Sequence, residues 1–110
     1  MTKKTGYLGE LEQMVLLAIL QLEDQAYGTN VMSELESRVD RKVSRGALYV
    51  TLDRLEEKGM LDSTIGGPNP RRGGRPKRFL SVTPEGVEAL KKSRSTWMRL
   101  WEGLDSVMEQ

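Results

Sequence analysis

The stretch that decides the fold is Val43-Ser-Arg-Gly-Ala-Leu-Tyr-Val-Thr-Leu-Asp-Arg-Leu-Glu-Glu-Lys-Gly-Met-Leu61, together with the returning segment Lys77-Arg-Phe-Leu-Ser-Val82. Ser44 suits an N-cap, because its hydroxyl can accept from an orphan amide of the first helical turn. Leu48, Leu52 and Leu55 recur at i, i+4 and i+7 and make one apolar face. Gly59 sits where a left-handed C-terminal cap is wanted. At ~100° per residue, Gly46, Tyr49, Val50 and Asp53 project away from the apolar face, with Arg45 and Arg54 on its flanks. Leu61, Ser63 and Ile65 then alternate with polar neighbours, as do Leu80 and Val82, so two strands are expected to lay Leu61, Ile65, Leu80 and Val82 on a helical core. Between them, Gly66-Gly-Pro-Asn-Pro-Arg-Arg-Gly-Gly-Arg-Pro76 holds four glycines and three prolines, which exclude a helix and suit a hairpin tip. A helix with a free outer face followed by a basic hairpin is the winged-helix arrangement for gripping DNA.

The flanking sequence extends this reading. From Leu8 to Leu22, Leu11, Val15, Ala18 and Leu22 form one helical face, and Leu16, Leu17, Ile19 and Leu20 widen it almost all round. Such a helix is buried on two sides, one against its own domain and one against a partner. Gly28-Thr-Asn30 offers N-cap candidates for a second helix carrying Val31, Leu35 and Val39, and Asp40–Ser44 is the short turn of a helix-turn-helix unit. Thr83-Pro-Glu85 announces a last helix, with Thr as cap and Pro in the first turn. Val87, Leu90, Arg94, Trp97, Trp101, Leu104 and Met108 are spaced 3, 4, 3, 4, 3, 4, a heptad seam interrupted by Arg94. Some 25 helical residues would span roughly 37 Å, more than an ~80-residue domain can cover. The expected fold class is therefore mainly α with a small β-hairpin (α+β). Residues 1–83 would form a winged helix-turn-helix, and residues 84–110 a dimerisation helix using Val87, Leu90, Trp97, Trp101, Leu104 and Met108.

Composition narrows the function. The 110 residues contain no cysteine and no histidine, which removes the thiolates and the commonest general base and metal ligand. No enzyme, cofactor or metal is expected, and the lack of thiols fits a reducing cytoplasm. The longest apolar run, Met14–Leu20, is too short to cross a bilayer, so no membrane is expected as a partner. Net charge is only +1, but no acidic residue lies between Ser63 and Pro84, where Arg71, Arg72, Arg75, Lys77 and Arg78 give five positive charges. Subtracting these five from the 17 basic residues leaves 12 against 16 acidic ones, a body of net −4. One concentrated basic loop on an acidic body is an electrostatic footprint for a polyanion.

Double-stranded DNA is the expected partner. The helix from Ser44 to Lys58 would enter the major groove by its N-terminal half. Arg45 suits a phosphate or a guanine, Ser44 a phosphate, and Arg54 a flanking contact. Tyr49 either reaches the DNA or seals the helix to its neighbours as a half-buried ring. In the loop, Arg75 between glycine and proline resembles the core of an AT-hook, which would slide into a narrow minor groove, unless the whole cluster simply contacts phosphates. Trp97 and Trp101, one turn apart, are either interface anchors or the walls of a pocket for a planar aromatic effector, with Arg94 either facing a ligand carboxylate or pairing with Glu88 or Glu102 across the interface. A winged helix that binds an acidic protein instead of an operator is the competing class.

Several of these segments together resemble the PadR family of bacterial transcriptional regulators, in the short subgroup with a single C-terminal helix. They are Leu8-Gly-Glu-Leu-Glu12 through Leu22, Ala26-Tyr-Gly28, Val43-Ser-Arg-Gly-Ala-Leu-Tyr49, Leu52-Asp-Arg-Leu-Glu-Glu-Lys-Gly-Met-Leu61 and Val82-Thr-Pro-Glu-Gly86. The resemblance covers nearly the whole chain. Two features depart from the family pattern: Val50 replaces the usual proline, and the wing is longer and richer in arginine. The resemblance implies a homodimer on an inverted-repeat operator, usually a repressor, released by a small hydrophobic or aromatic molecule.

Overall fold

Ser44 caps the decisive helix through its side chain: its Oγ accepts from the Ala47 amide at 3.1 Å. In the computed structural model, which describes residues 8–66 and 77–109, that helix is α3 (Arg45–Glu57), preceded by α1 (Glu10–Leu22) and α2 (Gly28–Val39). The antiparallel strands β1 (Leu61–Gly66) and β2 (Lys77–Val82) follow, then α4 (Pro84–Trp101) and a single turn, α5 (Asp105–Met108). The fold is the expected one, mainly helical with a two-stranded wing. The loop arginines Arg71, Arg72 and Arg75 lie outside the described residues.

The stop after α3 is set by Gly59, at φ 77°. The Met60 amide donates to the Leu55 carbonyl and the Gly59 amide to the Glu56 carbonyl, the paired bonds of a Schellman turn. That turn drops Met60 and Leu61 into the core. There they join Leu48, Leu52 and Leu55 from α3, Val15, Leu16 and Ile19 from α1, Val31 and Leu35 from α2, and Leu80 from β2. The register pairs Leu61 with Val82 and Ile65 with Arg78. A third backbone segment joins the wing: Tyr27 bridges to Phe79, and the Leu80 amide donates to the Ala26 carbonyl at 2.9 Å.

Three expectations need correction. Ile65 is 69% exposed, at a level of the hairpin where its cross-strand partner Arg78 meets the polar side chains of α3 rather than the apolar core. Val39, in the last turn of α2, is likewise exposed, since the chain turns there at Asp40 in the left-handed conformation. The C-terminal helix is not continuous. It ends at Trp101, Gly103 takes φ 79°, and Leu104 and Met108 fall outside α4. Its 18 residues give a rod of about 27 Å.

One buried ion pair ties the ends of the fold together. Glu12 lies in the first turn of α1, where its carboxylate accepts from the Gly9 amide at 2.9 Å. It also accepts from Lys58 Nζ, just past α3, at 2.8 and 3.0 Å. Burial pushes this carboxyl up, but the hydrogen bonds from Lys58 and Gly9, and the charges of Lys58 and Arg54, outweigh it and hold the pKa below the usual 4.5. A depressed carboxylate contributes stability that is complete above its unfolded value and is lost as pH falls through the folded one. Glu12→Gln keeps an acceptor for Gly9 but removes the charge. It should cost about 1–2 kcal/mol at neutral pH, and the difference from wild type should vanish as urea denaturation is repeated at pH values falling below 4.5. A pH-independent difference would mean that the charge contributes nothing.

Candidate nucleic-acid interface

The outer face of α3 follows from what its inner face must do. Leu48, Leu52 and Leu55 are fully buried and Thr51 nearly so, its hydroxyl donating back to the Ala47 carbonyl at 2.8 Å. With those four turned inward, Arg45, Gly46, Ala47, Val50, Asp53, Arg54 and Glu57 are exposed. Ser44, Arg45 and Arg54 thus stand on an open helix face, as their sequence positions suggest. The N-terminal turn presents unpaired amides and the positive end of the helix dipole, which favour a phosphate there.

Tyr49 is half-buried in the sealing position. A Cβ added to Gly28 would lie 2.5 Å from its hydroxyl, so α2 starts in direct contact with the ring. Gly28 is thus the first residue of α2, placed by close approach, and Tyr27 occupies the N-cap without a side-chain capping bond.

The root of the wing separates two cations that the sequence groups together. Lys77 is exposed, with Nζ 4.2 Å from the centroid of the Tyr27 ring, which meets Phe79 edge-on at 5.6 Å. Arg78, expected as a DNA ligand, is engaged with side chains of its own chain. Its guanidinium lies 3.3 Å from Glu56 and 3.4 Å from Asp53, its Nε donates to Ser63 Oγ at 3.2 Å, and its side chain is only 22% exposed. The Ser63 hydroxyl in turn donates to Glu56. That bond, opposed by partial burial and helped by Arg78, holds the Glu56 carboxyl below its usual range. Register is the reason: opposite Ile65, Arg78 points to the face of the hairpin that looks at α3. It fixes the wing to the helix and partly neutralises Asp53 on the outer face of α3. Sequence reasoning missed this network because the partners of Arg78 lie 15 to 25 positions from it.

The second candidate surface belongs to α1 and α4. The start of α4 belongs to the core: Gly86, Ala89 and Leu90 are buried, and Leu90 is only 9% exposed. Leu90 is therefore taken by its own domain rather than left for a partner. Beyond Ser93 every described residue is exposed, including Trp97 (54%), Met98, Leu100, Trp101 (50%), Leu104, Val107 and Met108. Leu17 and Leu20 of α1 are exposed as well. Between α1 and α4 runs an open groove of about 920 Å³, lined by Leu8, Met14 and Leu17 on one side and by Lys92, Thr96, Trp97 and Arg99 on the other. The three residues grouped as an effector pocket do not converge within one chain. Trp97 lines this groove, whereas Arg94 lines a separate shallow depression with Lys91, Met98 and Glu102.

The family profile described as "Transcriptional regulator PadR-like family" matches residues 16–92. An uncharacterized protein of Lysinibacillus sphaericus is 26% identical over 103 residues, covering 92% of this chain and 90% of its own. Among solved structures, a PadR-like transcriptional regulator from Bacillus cereus strain ATCC 14579 superposes with a TM-score of 0.72 at 22% identity, covering 91% of this chain and 92% of its own. A PadR family transcriptional regulator from Eggerthella lenta DSM 2243 gives 0.67 at 25% identity, covering 91% and 87%. F93 from STIV, a winged-helix DNA-binding protein, gives 0.69 at 18% identity, covering 88% and 97%.

Proposed function

Because the chain belongs to the PadR-like family of transcriptional regulators, we propose that it is a homodimeric repressor that binds an inverted-repeat operator and is released by a planar aromatic effector. The observation that carries the DNA reading is the open face of α3, with Ser44, Arg45 and Arg54 outward beside a wing fixed to the helix by Arg78. Arg45 takes a phosphate or a guanine edge, Ser44 and the first amides of α3 take a phosphate, and Lys77 extends the basic surface along the wing. Arg71, Arg72 and Arg75 supply the rest of the sequence-independent hold, with Arg75 suited to a narrow minor groove. Arg78 and Tyr49 act one step back, as parts of the frame.

Dimerisation rests on the apolar residues of distal α4 and α1 that no part of the described chain covers. Two copies packed through them would bring Trp97 and Trp101 of each protomer near the twofold axis, in a cleft suited to a flat ligand. No helix among the described residues is long and apolar enough to cross a membrane; we assign the protein to the cytoplasm, with no catalytic role.

Footprinting on the promoter DNA upstream of its own gene tests the whole reading. The expected result is two protected half-sites related by a dyad, weakening steeply with salt, with protection lost when a planar aromatic cation or acid is added. An unprotected promoter at low salt would sink the operator reading. Protection indifferent to a broad aromatic panel, with tryptophan emission unchanged, would sink only the effector.

A further inference from the structure

We propose that Val50 reads the 5-methyl group of a thymine in the major groove, a proposal that rests on the operator reading above. The geometry of α3 leads to it. Taking 100° per residue, Gly46 and Val50 lie within about 30° of the pole opposite the buried side chains of Leu48, Thr51, Leu52 and Leu55. Successive on one helical row, they occupy the part of the leading two turns that goes deepest when the helix enters a groove by its N-terminal half. Gly46 has no side chain, and nothing lies within 4 Å of where its Cβ would be. The first turn can therefore approach the groove floor with its backbone. Val50, 56% exposed, is the next group to meet the bases, and it offers two methyl groups and no hydrogen-bonding atom. Of the four base pairs' major-groove edges, the thymine 5-methyl is the one feature an isopropyl group can read by contact.

The neighbouring charges reinforce the assignment. Arg45 and Arg54 flank the row and suit phosphates, and Asp53, the acidic group nearest the row's centre, is drawn toward Arg78 at 3.4 Å. Nothing in folding requires valine here. It is exposed and lies outside the core cluster, and a β-branched side chain in an exposed helix interior is a weaker helix former than alanine or leucine.

The test uses the full chain and a duplex enriched from a randomised library by repeated binding. Each thymine in that duplex is replaced singly by deoxyuridine, which removes the methyl group and nothing else. At one position in each half-site, wild type should lose about fourfold in affinity, the worth of one methyl-sized apolar contact. Val50→Ala, which removes the contact from both half-sites of the homodimer, should bind the thymine duplex roughly 16-fold more weakly and be indifferent to deoxyuridine at those positions, so the losses do not add. Circular dichroism and melting temperature of Val50→Ala should be unchanged or improved. A deoxyuridine scan that is flat for wild type, or a penalty in Val50→Ala as large as in wild type, overturns the proposal while leaving the operator reading intact. If no duplex is enriched, both fall.

Discussion

Replacing Trp97 and Trp101 together by alanine should weaken self-association by about three orders of magnitude, with the fold of each protomer intact. Large aromatic anchors near the centre of an interface are commonly worth about 2 kcal/mol each on truncation; the variant dimer loses four indoles whose contributions overlap and do not add in full, and a net loss of about 4 kcal/mol is roughly a thousandfold in Kd. Both indoles are half exposed and neither belongs to the core cluster, so their removal takes little from folding. They sit one turn apart, four residues from Trp97 to Trp101, on the distal half of a rod where Met98 and Leu100 also face outward. Sedimentation equilibrium should show wild type as a dimer at micromolar concentration and the double variant as a monomer, with far-UV circular dichroism superposable. DNA affinity should fall with it, because binding one half-site no longer raises the effective concentration at the other. A monomeric wild type at tens of micromolar, or a variant that dimerises as tightly, would remove the proposed interface and with it the twofold operator.

How far the sequence revealed these surfaces varies from element to element. The α2–α3 unit was legible because each of its signals is local: Ser44 as cap, leucines at helical spacing, Gly59 at the stop. All three occupy the positions their chemistry suggests. The strands were legible in extent but less so in facing. Alternation identifies the two sides of a hairpin, yet burial of Ile65 also depends on how far the helical core reaches beneath the wing, which no local pattern contains. The fate of Arg78 was hidden for a related reason. A run of arginines reads as one patch, and only the pairing of Ile65 with Arg78 shows that this one looks at α3. The heptad seam was over-read at both ends. Its spacing runs through Leu90, which the domain core claims, and through Gly103, whose positive φ ends the helical path that the spacing presupposes. Glu12 carried a readable signal, a carboxylate three residues after Gly9 at a helix start. Its partner Lys58 is 46 positions away.

The glycines of the two capped helices should respond to the same substitution with opposite sign. Gly86 marks the place where α4 crosses the turn between α3 and β1. A Cβ there would stand 2.4 Å from the Met60 carbonyl oxygen and 2.7 Å from Val82 Cγ1. The first neighbour is backbone and is already engaged, accepting from the Thr83 amide at 3.1 Å, while Thr83 Oγ1 donates to the Gly59 carbonyl and accepts from the Gly86 amide. Relieving the clash means lifting α4 and losing those bonds together. Overpacking of this kind commonly costs 1–3 kcal/mol or more, and the lost capping bond adds about 1. Alanine's better helix propensity returns up to about 1. Gly86→Ala should therefore destabilise by about 2–3 kcal/mol and lower the melting temperature by about 10–20 °C. Gly46, in the first turn of α3, has open space where Gly86 has a carbonyl, so Gly46→Ala should be stabilising, by up to about 1 kcal/mol. Thermal unfolding of the two variants beside wild type decides the matter. A stable Gly86→Ala protein would mean that α4 does not sit this close to Met60, and the orientation of its tryptophan-bearing end relative to α1 would lose its anchor. With the signs opposed, a missing side chain serves two ends in one chain: at Gly86 it lets helix meet turn, and at Gly46 it leaves the face of α3 bare.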